Sequence, residues 1–321
     1  MANCEGYVKR GCSIIAILLA LTSVAEAQTV TLRYRWTKGE SLSYRSVLQN
    51  DSTISGMPGM GDMNVGQTMT QVIKTDVTDV APDGTATLKQ TFLSVRMEMA
   101  TPMGKVVYDS AAPSANTADP ISETVGKFMG RMVGESIVTV MGPDGRIRKV
   151  EGASAILDKA LQGLGSDPAS AAMAQSLRSV MSDDAMRSNL EQTFAGLPLP
   201  PVKQGDTWKG SINIGNEMIG RITGIPIFTL KAIEGDTARI GVTVTLKQES
   251  APTGGPMGMS LKIAESKGEG EIVFDVAAGR MRRSTMRTEL PATMTMTTPD
   301  GTTATMNNLT KTTMTMELVE K

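Results

Sequence analysis

Met57, Met60 and Met63, set three residues apart, are the side chains whose type and spacing come nearest to metal chemistry. Thioether sulfur is a soft donor that suits Cu(I), and three flexible thioethers in the run Met-Pro-Gly-Met-Gly-Asp-Met can close on one ion. No histidine assists them anywhere in the chain. Their plainer role is to cover apolar surface from a loop punctuated by Pro58, Gly59 and Gly61. The second candidates are two carboxylates, Asp109 and Asp275, which follow Tyr108 and Phe274. Paired carboxylates hydrolyse glycosides when a fold sets them on either side of the bond. A sugar site also wants aromatic platforms, and only 3% of the residues are aromatic. Polar strand positions or turn formers are the simpler assignment for both.

Composition excludes most other chemistry. The only cysteines, Cys4 and Cys12, fall in a segment expected to be removed, and histidine is absent. Ser-His-Asp and Cys-His catalysis therefore lack their parts, as do zinc sites built on those ligands. There is no Ser-x-x-Lys, no Gly-x-Ser-x-Gly elbow and no phosphate-cradling Gly-x4-Gly-Lys-Ser/Thr. Lys267-Gly268-Glu269-Gly270-Glu271 is acidic and sits between strand patterns, so it is not a nucleotide loop. Asp183-Asp184 reads as helix capping rather than a metal pair. A net charge of -1 offers no basic field for nucleic acid. The expectation is a non-enzymatic protein without a cofactor.

The N-terminus predicts where it works. Lys9 and Arg10 precede an apolar run from Ser13 to Leu21, and Ala25-Glu26-Ala27 is a small-x-small site. This is the pattern of a secretory signal peptide cleaved after Ala27. The apolar run is shorter than the roughly 20 residues a spanning helix needs. The mature protein is thus expected in the periplasm or outside the cell, with no transmembrane anchor once the signal is gone.

The elements that must position any site are mostly strands. Val30, Leu32, Tyr34 and Trp36 alternate, then Leu42, Tyr44 and Leu48, and most clearly Ala238, Ile240, Val242, Val244 and Leu246. Ala86, Leu88 and Phe92 hold even positions, whereas Leu93, Val95, Met97 and Met99 hold odd ones, so a β-bulge or sharp bend is predicted at Phe92-Leu93. Pro-Asp-Gly recurs at 82–84, 143–145 and 299–301, each a hairpin turn signal. The last would join strands over 281–298 and 302–319, with Met294, Met296, Ala304, Met306, Met314, Met316 and Leu318 all at even positions. Helical spacing marks Val125, Phe128, Met129 and Met132, then Ile156, Leu157, Ala160, Leu161 and Leu164, then 172–181 and 185–194, with Ser182 or Asp183 as an N-cap.

These elements predict an α+β fold: one large, curved, half-barrel-like antiparallel sheet with a central helical segment packed on its concave face. The regions are 1–27 (signal), 28–119 (β), 120–200 (mainly helical, with a short hairpin) and 201–321 (β). Lys38-Gly39-Glu40-Ser41-Leu42 and Gln204-Gly205-Asp206-Thr207-Trp208 are alike, as are Tyr108-Asp109 and Phe274-Asp275, both at a separation of 166 residues. A duplicated β half and chance recurrence of turn sequences explain this equally well.

The order Arg33-Tyr34-Arg35-Trp36-Thr37-Lys38-Gly39-Glu40, Met57-Pro58-Gly59-Met60, Asp83-Gly84-Thr85-Ala86, Val107-Tyr108-Asp109-Ser110 and Gly205-Asp206-Thr207-Trp208 resembles a family of secreted bacterial proteins of unknown function. That resemblance carries no activity and no catalytic residues. In plan the chain is also similar to the envelope lipoprotein carriers, open β half-barrels with helices in the mouth. The functional expectation is an apolar or lipid-like ligand in the cell envelope. The alternatives are a structural or protein-interaction module, Cu(I) binding through Met57, Met60 and Met63, and, last, a paired-carboxylate hydrolase.

Overall fold

The computed structural model describes residues 29–56, 61–102, 104–112, 126, 128–162, 174–175, 177–178, 181–194, 197–198, 200–216, 220–250, 259–297 and 303–319. The first strands are β1 (Thr29–Val30), β2 (Ser41–Ser55), β3 (Met63–Val80), β4 (Ala86–Thr101), β5 (Gly104–Asp109), β6 (Ser136–Met141) and β7 (Ile147–Glu151). Among the described residues, helices α1 (Ala153–Leu161) and α2 (Asp183–Phe194) follow. The chain then returns to strands: β8 (Val202–Lys203), β9 (Thr207–Lys209), β10 (Ile212–Asn216), β11 (Gly220–Gly224), β12 (Ile227–Glu234), β13 (Thr237–Ser250), β14 (Met259–Ile263), β15 (Ser266–Asp275), β16 (Arg280–Thr297) and β17 (Thr303–Val319).

Fifteen of these strands make one antiparallel sheet with the path β10-β11-β13-β15-β16-β17-β2-β3-β4-β6-β7. Its two end strands do not pair with each other, so the sheet is an open, curved half-barrel rather than a closed barrel. The two halves of the chain meet where β17 pairs with β2, Thr313 opposite Gln49.

Turn chemistry sets the registers. In the β3–β4 turn, Gly84 adopts φ 82° and donates its N–H to the Ala81 carbonyl at 2.9 Å. In the β6–β7 turn, Gly145 adopts the same φ of 82° and donates to Gly142 at 3.0 Å. In each, Gly supplies the left-handed residue that closes a Pro-Asp-Gly loop. The third such turn, 299–301, lies outside the described residues, but Thr297 pairs with Thr303 on either side of it. The bulge is where parity places it: Val72 pairs with Ser94 and Ile73 with Phe92, so Leu93 has no partner across the ladder. Leu93 does not join the buried odd set, however; as the extra residue it turns outward and is 46% exposed.

The core gathers at one end of the sheet, on its inner face. There Leu32, Tyr34, Leu88, Leu230, Ile240, Phe274 and Met281 are buried. Tyr34 sits at its centre, stacked on Trp36 at 6.0 Å and edge-on to Phe274 at 5.4 Å and Phe194 at 6.1 Å. The alternation over 30–36 correctly marks burial of Val30, Leu32 and Tyr34, but only Thr29–Val30 is a ladder strand. Beyond it the chain threads between turns, with the Tyr34 N–H on the Pro143 carbonyl at 2.8 Å and the Arg35 N–H on that of Gly279 at 2.9 Å.

Helix α1 buries Ile156, Leu157, Ala160 and Leu161 of the stripe its spacing predicts, and Ala153 with them; Leu164 lies outside the described residues. Ser182 caps α2 by accepting the Ala185 N–H at 3.2 Å. Asp183 instead serves the neighbouring helix, where its carboxylate accepts the Ser154 N–H at 2.9 Å and caps the start of α1. The helices pack chiefly on β6 and β7, at one end of the sheet.

The two similar turns are built alike. The Gly39 N–H donates to Val77, the Val77 N–H to Glu40 and the Glu40 N–H to Thr37, at 2.9, 2.8 and 3.0 Å. Gly205 donates to Leu230, Leu230 to Asp206 and Asp206 to Lys203, at 2.8, 3.0 and 3.0 Å.

Candidate functional site

Beyond the core, β2, β3, β4, β16 and β17 run on, and their registers line up one apolar row across the inner face. Met97 of β4 faces Met69 of β3, which faces Leu48 of β2. Leu48 faces Met314 of β17, which faces Met286 of β16, and Met286 faces Gly270 of β15. Neighbouring strands stand about 4.8 Å apart, so this row is about 24 Å wide. Gly270 is needed in it: a Cβ there would stand 2.8 Å from the Met286 sulfur. Farther out, Met306 faces Met294, and Ile54 faces Met63.

Ten of the chain's 24 methionines belong to this face: Met63 and Met69, Met97 and Met99, Met286, Met294 and Met296, Met306, Met314 and Met316. All are half-buried except Met97 and Met316, which are buried. No described helix makes substantial packing contact with β2, β3, β16 or β17. Curvature explains the partial burial, because side chains on a concave face converge.

Charge separates the two faces. Over 46–54, 63–71, 95–101, 284–296 and 304–316, no inner-face residue is Asp, Glu, Lys or Arg. The charges of these strands stand on the outer face and pair there, as in Arg45–Glu317 at 3.6 Å, Arg96–Asp109 at 2.8 Å and Lys311–Glu289 at 3.6 Å. Such exposed pairs add little stability, but they mark the face that meets water.

The inner face is not uniformly apolar. Between the Met97–Met286 row and the outer methionines run Gln67, Asn50, Thr312 and Thr288, then Ser52, Thr310 and Asn308. Thr312 donates to the Asn50 carbonyl oxygen at 2.8 Å, the Ser52 and Thr310 hydroxyls are 2.9 Å apart, and the Asn308 amide donates to Thr310 at 3.2 Å. Asn308 Oδ1 is buried without a partner among the described residues.

Of the residues singled out by type and spacing, the two carboxylates are not brought together. Met57 and Met60 lie outside the described residues. Met63 begins β3, as part of the inner face beside Ile54. Asp109 and Asp275 stand with β16, β17, β2, β3 and β4 between their strands. The Ala111 N–H and the Arg96 guanidinium hold the Asp109 carboxyl below its ordinary range. Burial pushes Asp275 upward, but the Ala278 N–H and Arg282 outweigh it and leave that carboxyl low too. A general acid needs the opposite shift. Lys267 to Glu271 is a stretch of β15 itself rather than a loop between strands: its glutamates face outward, while Gly268 and Gly270 make room for Val244 and Met286. Among the described residues, no group of three or more His, Cys, Asp or Glu could hold a metal ion, and no helix is long and apolar enough to cross a membrane.

Two grooves of about 690 and 660 Å³ lie side by side on the outer face over β12, β13, β15 and β16. The first is lined by Lys231, Arg239, Arg283 and Arg287 with Glu269 and Glu271, and within it Arg239 pairs with Glu271 at 3.0 Å. The second holds the exposed Ile225, Ile227 and Leu309.

Residues 83–281 match a protein-family model described as a family of unknown function. The chain belongs to that family, DUF6263. The DUF6263 match runs from the β3–β4 turn to the start of β16, so β2, β3, β17 and most of β16 lie outside it. No curated protein matches the sequence. Among solved structures, the chain is similar to lipovitellin at 11% identity and a TM-score of 0.46, over 89% of this chain and 26% of that one. It thus spans about a quarter of the lipovitellin chain. It is also similar to an outer membrane channel (COG4313) of Pseudomonas putida F1, at 7% identity and a TM-score of 0.26, over 89% and 97% of the two chains. A third likeness is to DynF of Micromonospora chersina, at 10% identity and a TM-score of 0.20, over 90% and 85%. None of the three is a close superposition.

Proposed function

We propose that this member of the family is an exported, non-enzymatic protein of the cell envelope that binds an apolar, lipid-like molecule on the inner face of its sheet. The observation that carries the reading is the methionine-rich, uncharged inner face that no described helix covers. Unbranched thioether side chains adapt to ligands of irregular shape. From Ala304 to Met314 the face extends about 33 Å at the rise of a strand. An acyl chain spans about half of a 30 Å bilayer core, and therefore lies within that length. Export rests on the N-terminal signal pattern.

The test is native mass spectrometry of the protein purified from its own envelope fraction. The expected result is a co-purifying mass in the lipid range that is lost in a Met69→Gln/Met314→Gln variant. A clean apo protein would overturn the reading. A second reading, a protein-interaction module, draws on Ile225, Ile227 and Leu309 in one outer-face groove. It predicts that substituting them with serine removes a co-purifying protein and leaves lipid content unchanged.

A further inference from the structure

We infer that the occupant of the inner face is an uncharged acyl lipid carrying ester carbonyls, not an anionic phospholipid or an ionised fatty acid. The inference rests on the binding reading above and narrows it to one class of lipid.

The first argument is charge. The extended part of the inner face presents no cation to an anionic headgroup and no anion to a cationic one. A charge laid against that surface would lose water and gain no counter-ion, which is costly. The cations of the same strands are on the other side of the sheet, and several are already paired.

The second argument is the polar band. Polar side chains on a covered apolar face are expensive unless they are hydrogen-bonded. Here Asn50, Ser52, Thr310 and Thr312 bond in pairs across β2 and β17. The band lies between two apolar zones, Met69 and Met314 on one side and Met294 and Met306 on the other. A diacyl lipid whose two chains splay to either side of its ester linkages matches that order. Ester carbonyls accept hydrogen bonds from the band's hydroxyl and amide donors.

The test is displacement of a fluorescent diacylglycerol from the purified full chain by three unlabelled competitors: dioleoylglycerol, the phosphatidylglycerol with the same acyl chains, and oleate. Dioleoylglycerol is expected to compete at least about tenfold more tightly than either anion, the scale of one or two net hydrogen bonds. Thr310→Val/Thr312→Val is expected to weaken dioleoylglycerol binding several-fold, while uptake of a plain alkane probe and the discrimination against charge stay unchanged. Equal or tighter competition by phosphatidylglycerol or oleate overturns the inference and leaves lipid binding standing. Failure of every lipid, the fluorescent probe included, overturns the binding reading itself. The wild-type comparison decides between these outcomes even if the variant does not fold.

Discussion

If the outer part of the inner face is a free surface, truncating its methionines must cost far less than truncating a methionine in the core. Met281 is 1% exposed, and its carbonyl accepts the Tyr44 hydroxyl at 3.0 Å. Met281→Ala removes three heavy atoms from a closed site. Lost transfer energy and a residual cavity add, for an expected cost of about 3 kcal/mol within the usual range of about 2–5. Met294 and Met306 face each other on the extended strands and are only half-buried. Truncating either leaves a dent open to water instead of a cavity, so only part of the roughly 0.8 kcal/mol per buried methylene is lost. About 1 kcal/mol each is expected for Met294→Ala and Met306→Ala. Urea titration measures both terms, with the m-value checking that cooperativity is unchanged. Saturating ligand should widen the gap between wild type and these two variants, because ligand binds only the folded protein and binds the variants less well. If Met294→Ala and Met306→Ala cost as much as Met281→Ala in the absence of ligand, the face is sealed as core and cannot be a binding surface.

Two further substitutions test the fold that holds this face. In Gly145→Ala the new Cβ would stand 2.3 Å from the Phe194 carbonyl oxygen and 2.9 Å from the Tyr34 ring, at a φ of 82°. Left-handed strain and overpacking together predict a loss of about 2–5 kcal/mol. Gly235→Ala, at φ 58° with nothing near its Cβ, should lose only about 1 kcal/mol; thermal denaturation of the pair compares them. Asp275→Ala removes the acceptor of the Ala278 N–H and one ion pair of Arg282, and should cost about 1–3 kcal/mol at neutral pH. The folded carboxyl titrates below its ordinary value, so its contribution is fully present above about pH 4–5 and fades as pH falls through the folded value. Urea titrations at pH 7 and pH 3 should show the gap from wild type narrowing at the lower pH.

Local chemistry was legible in the sequence, and long-range register was not. The Pro-Asp-Gly turns at 82–84 and 143–145, the Phe92-Leu93 bulge and the Ser182 cap depend on residues within a few positions of one another. Alternation over Val30 to Trp36 reported which side chains are buried, but not what their backbone bonds. That segment's partners, Pro143 and Gly279, are more than 100 residues away. The Glu40–Arg280 ion pair, at 2.7 Å and with both side chains about one-fifth exposed, spans 240 positions and leaves no local trace. Spacing of three among Met57, Met60 and Met63 is a local pattern that carries no register. Met63 lies on the inner face of β3, whereas Met57 and Met60 lie outside the described residues.

The methionines of the inner face show the same division in the opposite direction. Met294, Met296, Met306, Met314 and Met316 share even numbering, and one hairpin explains them. Met69, Met97 and Met99 are odd, and only the register of β17 on β2, β2 on β3 and β3 on β4 brings both sets onto one side. The charges obey the same rule, since each falls on the side those registers turn outward. A sheet that had only to fold would need this partition where its inner face is packed by the helices and the N-terminal segment. Here it continues along the outer lengths of β2, β3, β16 and β17, with hydroxyls and amides in place of charges. An unoccupied face exposed to water gains nothing from excluding every charge, whereas a face that receives an uncharged apolar molecule requires it.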